Sequence, residues 1–217
     1  MDSYNCRRFT LDNLKISYLT SSLGPVSIHF LYEIITAFLP HLKKKNSLNL
    51  SDSEKQKILN CFSVIYPTEE YVRTSLNGYK KVPLFFRMEY YDSIRFEKDI
   101  LYKYEGRNKY NGDNGVLSHC KILIATKNNK IDDDTIIYLG SHNFTKSAWG
   151  KFVKNYSKYS LNNYELGILY PPMHNSTEEK KEILKSFNFK LPAQKYTADD
   201  YPFLNGDQRF QWYNLIL

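Results

Sequence analysis

The unit that most constrains this chain is a hairpin-like pair of apolar runs, residues 121–126 and 135–139, joined by the polar stretch 127–134. Short runs rich in β-branched residues and bounded by polar stretches read as strands. His119-Cys120-Lys121 opens the first run, and Gly140-Ser141-His142-Asn143 follows the second. Side chains two apart on a strand point to one face, so the His119 imidazole and the Lys121 ammonium are expected side by side. The serine and the carboxamide arrive where the second strand is expected to give way to a helix, and helix N-termini suit anions. A proton carrier, a fixed cation and neutral donors thus converge on one place.

Around this unit, helical and strand periodicities alternate. Lys15 opens a strand that passes into a polar loop ending at Gly24. Ile28, Leu31, Ile34, Ile35, Phe38 and Leu39 recur at helical spacing before Pro40. Residues 43–53, including Lys43-Lys44-Lys45, read as a solvated loop, and 61–66 as a strand. Thr68 can cap a helix running to Asn77, with Gly78 as its left-handed stop. A second amphipathic helix is expected from Asp92, with Ile94, Phe96, Ile100, Leu101 and Tyr104 on its apolar side. Residues 105–115 read as a polar loop, 145–153 as helical, 164–170 as a strand and 177–187 as a charged helix. The tail 191–217 is loop-rich and ends in aromatics. Alternating helices and strands argue an α/β fold, here one domain over 1–217 whose polar first 14 residues read as a linker-like start.

Composition narrows the partners. The 217 residues carry 30 Lys and Arg against 23 Asp and Glu, a net charge of +7 that favours a polyanion. The 19 Tyr and 13 Phe include rings that could stack on bases, although core packing accounts for most of them. Cys6, Cys61 and Cys120 have neither metal-ligand spacing nor a disulfide pattern. Sequons such as Asn143-Phe144-Thr145 follow no signal peptide, so the chain reads as intracellular and reduced. The longest apolar run, 28–39, is interrupted by Glu33 and too short for a bilayer, so no membrane partner is expected.

The residue types at the two motifs suit a phosphodiester. Lys121 can neutralise non-bridging oxygens as they gather charge, and Asn143 can donate without competing for a proton. His119 can give and take a proton near neutral pH, and imidazole is itself a phosphoryl nucleophile. Glu165, on the next strand, could orient an imidazole by accepting from its ring N–H, or could be a plain surface carboxylate.

His119-x-Lys121 with Ser141-x-Asn143 resembles the phospholipase D superfamily signature, in which His-x-Lys is followed after four residues by Asp and later by Gly-Ser-x-Asn. Thr126 stands where that signature has its Asp. This departure is similar to the tyrosyl-DNA phosphodiesterase branch. So are Leu19-Thr20-Ser21-Ser22-Leu23-Gly24, Ile65-Tyr66-Pro67, the stretch from Val72 to Tyr79, Ser147-Ala148-Trp149-Gly150 and Tyr164-Glu165-Leu166-Gly167. Their order and spacing match the family's second half over roughly residues 15–215.

The resemblance implies a phospholipase D-like domain, a mixed sheet flanked by helices, paired with a similar N-terminal domain. It implies that His119 protonates the leaving group and then activates water, that Lys121 and Asn143 bind the phosphate, and that Glu165 supports the histidines. It puts Thr20, Ser21, Ser22, Ser141 and Thr145 along the DNA, with Pro83 and Tyr213 as looser matches lining the groove. It implies no metal and no other cofactor. The expected partners are DNA with 3′-phosphotyrosyl ends, a topoisomerase-derived peptide and the missing N-terminal half, in the nucleus. His29, His41, His142 and His174 have no Lys two residues on, so a single His-x-Lys stands where the family uses two. The expected function is the acid/base half of a phosphodiesterase, inactive alone. Two alternatives stay open: a single-motif homodimeric phosphodiesterase and a DNA-binding module without catalysis.

Overall fold

The computed structural model describes residues 9–40, 42, 50–80, 82–106, 115–153 and 157–206. Tyr213, Cys6 and Lys43-Lys44-Lys45 lie outside them.

Strand β1 (Leu14–Leu19) alternates buried and half-buried residues and leads into β2 (Ser22–Leu23). Helix α1 (Ile28–Phe38) starts where the Ser27 hydroxyl accepts from the Phe30 N–H. Helix α2 (Asp52–Leu59) opens on a reciprocal cap between Ser51 and Glu54. Strand β3 (Phe62–Tyr66) precedes α3 (Glu69–Arg73), capped by Thr68. Short elements follow: β4 (Phe85–Phe86), α4 (Met88–Tyr91) and β5 (Leu101–Lys103). The central pair is β6 (Lys121–Lys127) and β7 (Ile136–Gly140). The single turn α5 (Lys146–Trp149) is followed by the hairpin β8 (Lys151–Val153) and β9 (Lys158–Ser160). The described chain continues through β10 (Gly167–Tyr170) and α6 (Thr177–Lys185). No helix among the described residues is long and apolar enough to cross a membrane.

Six strands form one mixed sheet in the order β10-β7-β6-β1-β3-β5. β1, β3 and β5 are parallel, while β6, β7 and β10 join by antiparallel pairing. Because side chains alternate, the sheet feeds two cores. Ile16, Tyr18, Val64, Tyr66, Leu123 and Ala125 pack with α1 and α2 on one face. Leu19, Ile65, Ile122, Ile124 and Ile137 pack with Leu184 of α6 and Phe189 on the other. The result is the expected α/β domain, a mixed sheet flanked by helices. Phe9 belongs to the first core, and Thr10 to Asn13 form a hydrogen-bonded turn into β1.

Several expected elements differ. The helix expected from Asp92 is absent: Ile94 is fully exposed, a 3-10 turn spans Lys98–Ile100, and Leu101 pairs with Val64 in the sheet. Phe96, Ile100 and Tyr104 are all buried, but Phe96 and Ile100 belong to the first core and Tyr104 to the second, so the four-residue spacing arose from a turn and a strand and not from one helix face. The helix expected over 145–153 stops after one turn because Gly150 takes φ +74, where an added Cβ would strike the Tyr159 ring. The helix from Thr68 ends at Arg73, short of Asn77, although Gly78 is left-handed at φ +50. The solvated loop expected to reach Ser53 gives way earlier to α2, whose Ser51-x-x-Glu54 cap is readable in the sequence. The strand expected over 164–170 begins only at Gly167, and the residues before it are used by the site.

Phe144 ties this fold to the motif after β7. It is fully buried, with its ring 4.8 Å from Tyr18, 5.2 Å from Phe30 and 6.1 Å from Phe62. Phe144→Ala is expected to cost about 3–5 kcal/mol, read as a lowered midpoint in urea unfolding.

Candidate active site

The site is built at one end of the sheet, where β1 finishes, β6 starts, β7 finishes and β10 starts. Register brings the pieces together: Lys121 pairs with Gly140, and Gly140 with Gly167. Both glycines are required here, because the Tyr138 ring lies where either Cβ would stand.

His119 lies in the extended lead-in to β6, and Lys121 is the strand's first residue. Their side chains meet as expected. Lys121 Nζ lies 3.1 Å from each ring nitrogen of His119 and donates to the His119 carbonyl at 2.6 Å. His119 is exposed, whereas Lys121 is only 6% exposed. Partial burial, and after it the Lys121 charge, hold the imidazole below its ordinary value. Burial likewise lowers the Lys121 ammonium, opposed by Cys120 and Glu165.

Glu165 sits just before β10 and is bound differently from the expectation. Among the described residues its hydrogen-bond donors are the Ser141 hydroxyl and the Asn163 amide, the latter at 3.0 Å, and no imidazole N–H. The Ser141 N–H donates to the Leu166 carbonyl at 2.9 Å, and the Leu166 N–H returns to Ser141 Oγ at 3.0 Å. Ser141 therefore clamps the segment carrying Glu165 onto the end of β7. Burial alone would raise the Glu165 carboxyl, but bonds from Ser141 and Asn163, with His142 and Lys121 nearby, keep it below its ordinary value.

Asn143 is positioned from behind. The Thr20 and Ser21 hydroxyls lie 3.2 and 3.1 Å from its Oδ1. Holding the oxygen leaves the amide N–H groups to face a ligand. Thr20 and Ser21, expected along the DNA, are each 1% exposed, so they reach a ligand only through Asn143. The Thr20 hydroxyl also takes the Phe144 N–H at 3.2 Å. Thr145 caps α5 with its hydroxyl, a four-residue helix rather than the longer one expected there.

Ser22 and Thr145 do share a wall with Asn143. Together with Ser147, Asn162, Asn163, Lys146 and Lys151 they line a polar cleft of about 520 Å³ that also includes Phe85 and Tyr90. His119 and Lys121 are outside that wall. Pro83 is exposed on the loop before β4, also outside it. Lys146, Lys151 and Asn163 carried no signal beyond polarity, since their approach depends on the β8–β9 hairpin. The Asn162 and Asn163 N–H groups reach the Ser147 carbonyl at 3.3 and 3.1 Å, which closes that side.

A buried brace that sequence reading missed stands behind the motif. Tyr18, fully buried, donates to the His142 carbonyl at 2.8 Å and accepts from the Trp149 indole at 3.0 Å. The His142 ring lies tilted against Trp149, centroids 4.5 Å apart, and hydrogen-bonds the Tyr138 hydroxyl. His142 is thus a packed histidine that holds the loop bearing Ser141 and Asn143. At the other end of β6, Thr126 lies five residues from Lys121, about 17 Å along the strand. Its hydroxyl faces the Lys15 carbonyl at 3.5 Å. The position where the superfamily has its Asp is therefore remote from this site.

Fold and site together define a phospholipase D-like domain with one His-x-Lys. The tyrosyl-DNA phosphodiesterase family profile matches residues 4–199, and the chain belongs to that family. Tyrosyl-DNA phosphodiesterase 1 of Arabidopsis thaliana is 32% identical over an alignment of 136 positions that covers 57% of this chain and 21% of that protein. The crystal structure of yeast tyrosyl-DNA phosphodiesterase superposes with a TM-score of 0.62 at 19% identity, covering 89% of this chain and 50% of the yeast chain. A histidine-to-alanine variant of the yeast enzyme gives 0.60 at 20% identity with the same coverage. The chain thus spans half the length of the solved relative and about a fifth of the plant one.

The charge arrangement has a direct readout. Protonating His119 beside Lys121 puts two cations together, so removing one stabilises the imidazolium. By NMR, His119 is expected to titrate below about 6.5, and Lys121→Ala to move that titration upward. A Lys121→Ala shift to lower pH would contradict the arrangement.

Proposed function

We propose that this chain is the acid/base half of a phosphodiesterase that cleaves the 3′-phosphotyrosyl bond left on DNA by a trapped topoisomerase. The observation that carries this reading is His119 and Lys121 meeting at the sheet end that also bears Ser141 and Asn143, in a chain spanning half of its solved relative. The partners proposed are such DNA ends, the attached peptide and a complementary first half carrying the second histidine.

The geometry supports a two-step reaction. A histidine nitrogen of the missing half attacks phosphorus, and the phosphorus–oxygen bond to the tyrosine breaks. Lys121 and the Asn143 amide hold the non-bridging oxygens as charge gathers on them. His119 gives its proton to the departing phenolate oxygen. Now neutral, it takes a proton from the water that attacks the phosphohistidine, releasing a 3′-phosphate. Burial and the Lys121 charge favour the neutral form of His119. A phosphodiester anion next to it favours the proton that the first step requires.

The polar cleft beside Asn143 fits a nucleic-acid backbone. Neutral donors and two lysines suit phosphates, and Phe85 and Tyr90 can stack on bases. Ser22 and Thr145 are the proposed backbone contacts within it. A nuclear location belongs to the same proposal, through the substrate alone.

The test is complementation on a 3′-phosphotyrosyl oligonucleotide. This chain alone should release no tyrosine, and adding a first-half domain from a family member should restore release. In the restored enzyme, His119→Ala should lower turnover on the order of 100- to 10,000-fold with DNA affinity retained. Asn143→Ala should lower it on the order of 100- to 1,000-fold. Activity of the chain alone as a sedimenting dimer would replace this reading with the symmetric one. Full activity of His119→Ala would reduce the chain to a DNA-binding module.

A further inference from the structure

The six-stranded sheet has two edges, and the fold treats them differently. The β5 edge is covered: Tyr102 bridges to Lys195, the Lys103 N–H donates to the Gln194 carbonyl at 2.7 Å, and the Tyr196 N–H donates to the Leu101 carbonyl at 3.1 Å. The β10 edge is bare. Gly167 to Tyr170 pair with β7 on one side, and on the other no described residue bonds their backbone. Consecutive residues of a strand point to opposite faces. Ile168 and Leu169 are 61% and 57% exposed, so among the described residues no helix covers β10 on either face. Seven of the eleven large apolar side chains exposed among the described residues fall between Tyr159 and Met173, a stretch whose single charge is Glu165. Edge strands are commonly guarded against pairing by charges, by proline or by a cover. Gly167–Tyr170 has none of the three.

We infer that the free edge of β10 binds a second copy of this chain, strand against strand and antiparallel, about a twofold axis perpendicular to the sheet. Three features select that occupant. A bare strand edge is completed by another bare edge, and every copy brings one. The stretch is almost uncharged, so the net charge of +7 does not set two copies against each other there. The covered β5 edge closes the assembly at two copies, where a second free edge would build a filament. A complementary first half fits this edge less well. To reach the phosphate it must lie over the end of the sheet, where Lys121 and Asn143 stand, whereas an occupant of this edge extends the sheet beyond β10 in its own plane. The pairing leaves the two β6 strands five strand spacings apart, about 24 Å. Two His119 side chains then cannot share one phosphate. This dimer therefore differs from a symmetric catalytic one, and each copy keeps its own site.

The experiment is sedimentation equilibrium of the full chain at pH 7, up to about 100 µM. The mass should rise with concentration from 25.7 kDa toward twice that value. Ile168→Lys puts like charges on the two strands across the axis and should weaken association by about tenfold or more. Ile168→Glu should do the same. Mixed together, the two variants should associate within about tenfold of the unsubstituted chain, which a misfolded variant could not do. Ile94→Lys, at a fully exposed apolar side chain away from the edge, should change nothing. A chain that stays monomeric at about 100 µM, a dimer that survives Ile168→Lys, or variants that stay apart when mixed would overturn the inference. So would a first-half domain that displaces the second copy, since the edge would then be the seat of that half. None of these readouts requires DNA cleavage, and a failure of cleavage leaves them unchanged.

Discussion

The antiparallel pairing of β6 with β1 is the constraint on which the rest depends. It sets Leu19 opposite Ile122, and so puts the segment following β1 beside the start of β6. Pairing on the other side of β6 sets Lys121 against Gly140, at the start of the Ser141–Asn143 loop. A slip of one residue in either register would turn Lys121 to the opposite face and move Thr20 off Asn143. Of the strands that hold this register, β6 is buried on both faces, while β1 and β7 keep half-buried positions. The same residues that stabilise the sheet therefore aim the polar groups at its end.

The site shows a division between groups that meet a ligand and groups that aim them. Under the proposed function, His119 and the Asn143 amide are the former. The buried Thr20, Ser21 and Tyr18 and the half-buried Tyr138–His142–Trp149 cluster are the latter. Rigid support of this kind matters because a small displacement of a phosphate-binding group removes much of its effect. Glu165 belongs with the aiming groups, since it holds Ser141 and Asn163 rather than an imidazole. Its negative charge still favours the ammonium of Lys121, which burial opposes.

Much of this was legible in the chain. The two strands flanking 127–134, helix α1 ahead of Pro40, the Thr68 cap and the alternation that argued α/β all follow local patterns that the fold respects. The elements that differed did so for separate reasons. Between Asp92 and Tyr104 a turn and an edge strand replace the helix, leaving Ile94 exposed and dividing the buried positions between the two cores. Periodicity does not report which backbone path buries a residue. At 145–153 a single glycine, placed against Tyr159, overrode a helical pattern.

The sequence by itself determined the residue types at the site. His-x-Lys and Gly-Ser-x-Asn are local, and they already supply a cation, a proton carrier and neutral donors, the set on which the proposed phosphate chemistry draws. The family followed from the same motifs and the order of the stretches around them. What only the tertiary structure decided is who supports whom. Thr20 and Asn143 are 123 positions apart, as are Ser141 and Glu165 by 24, and no local rule pairs such residues. Hydroxyls that looked like surface contacts became buried braces for this reason. A carboxylate in an amphipathic helix, Glu33, likewise ended with one oxygen buried, because burial and partnership are properties of the packed chain.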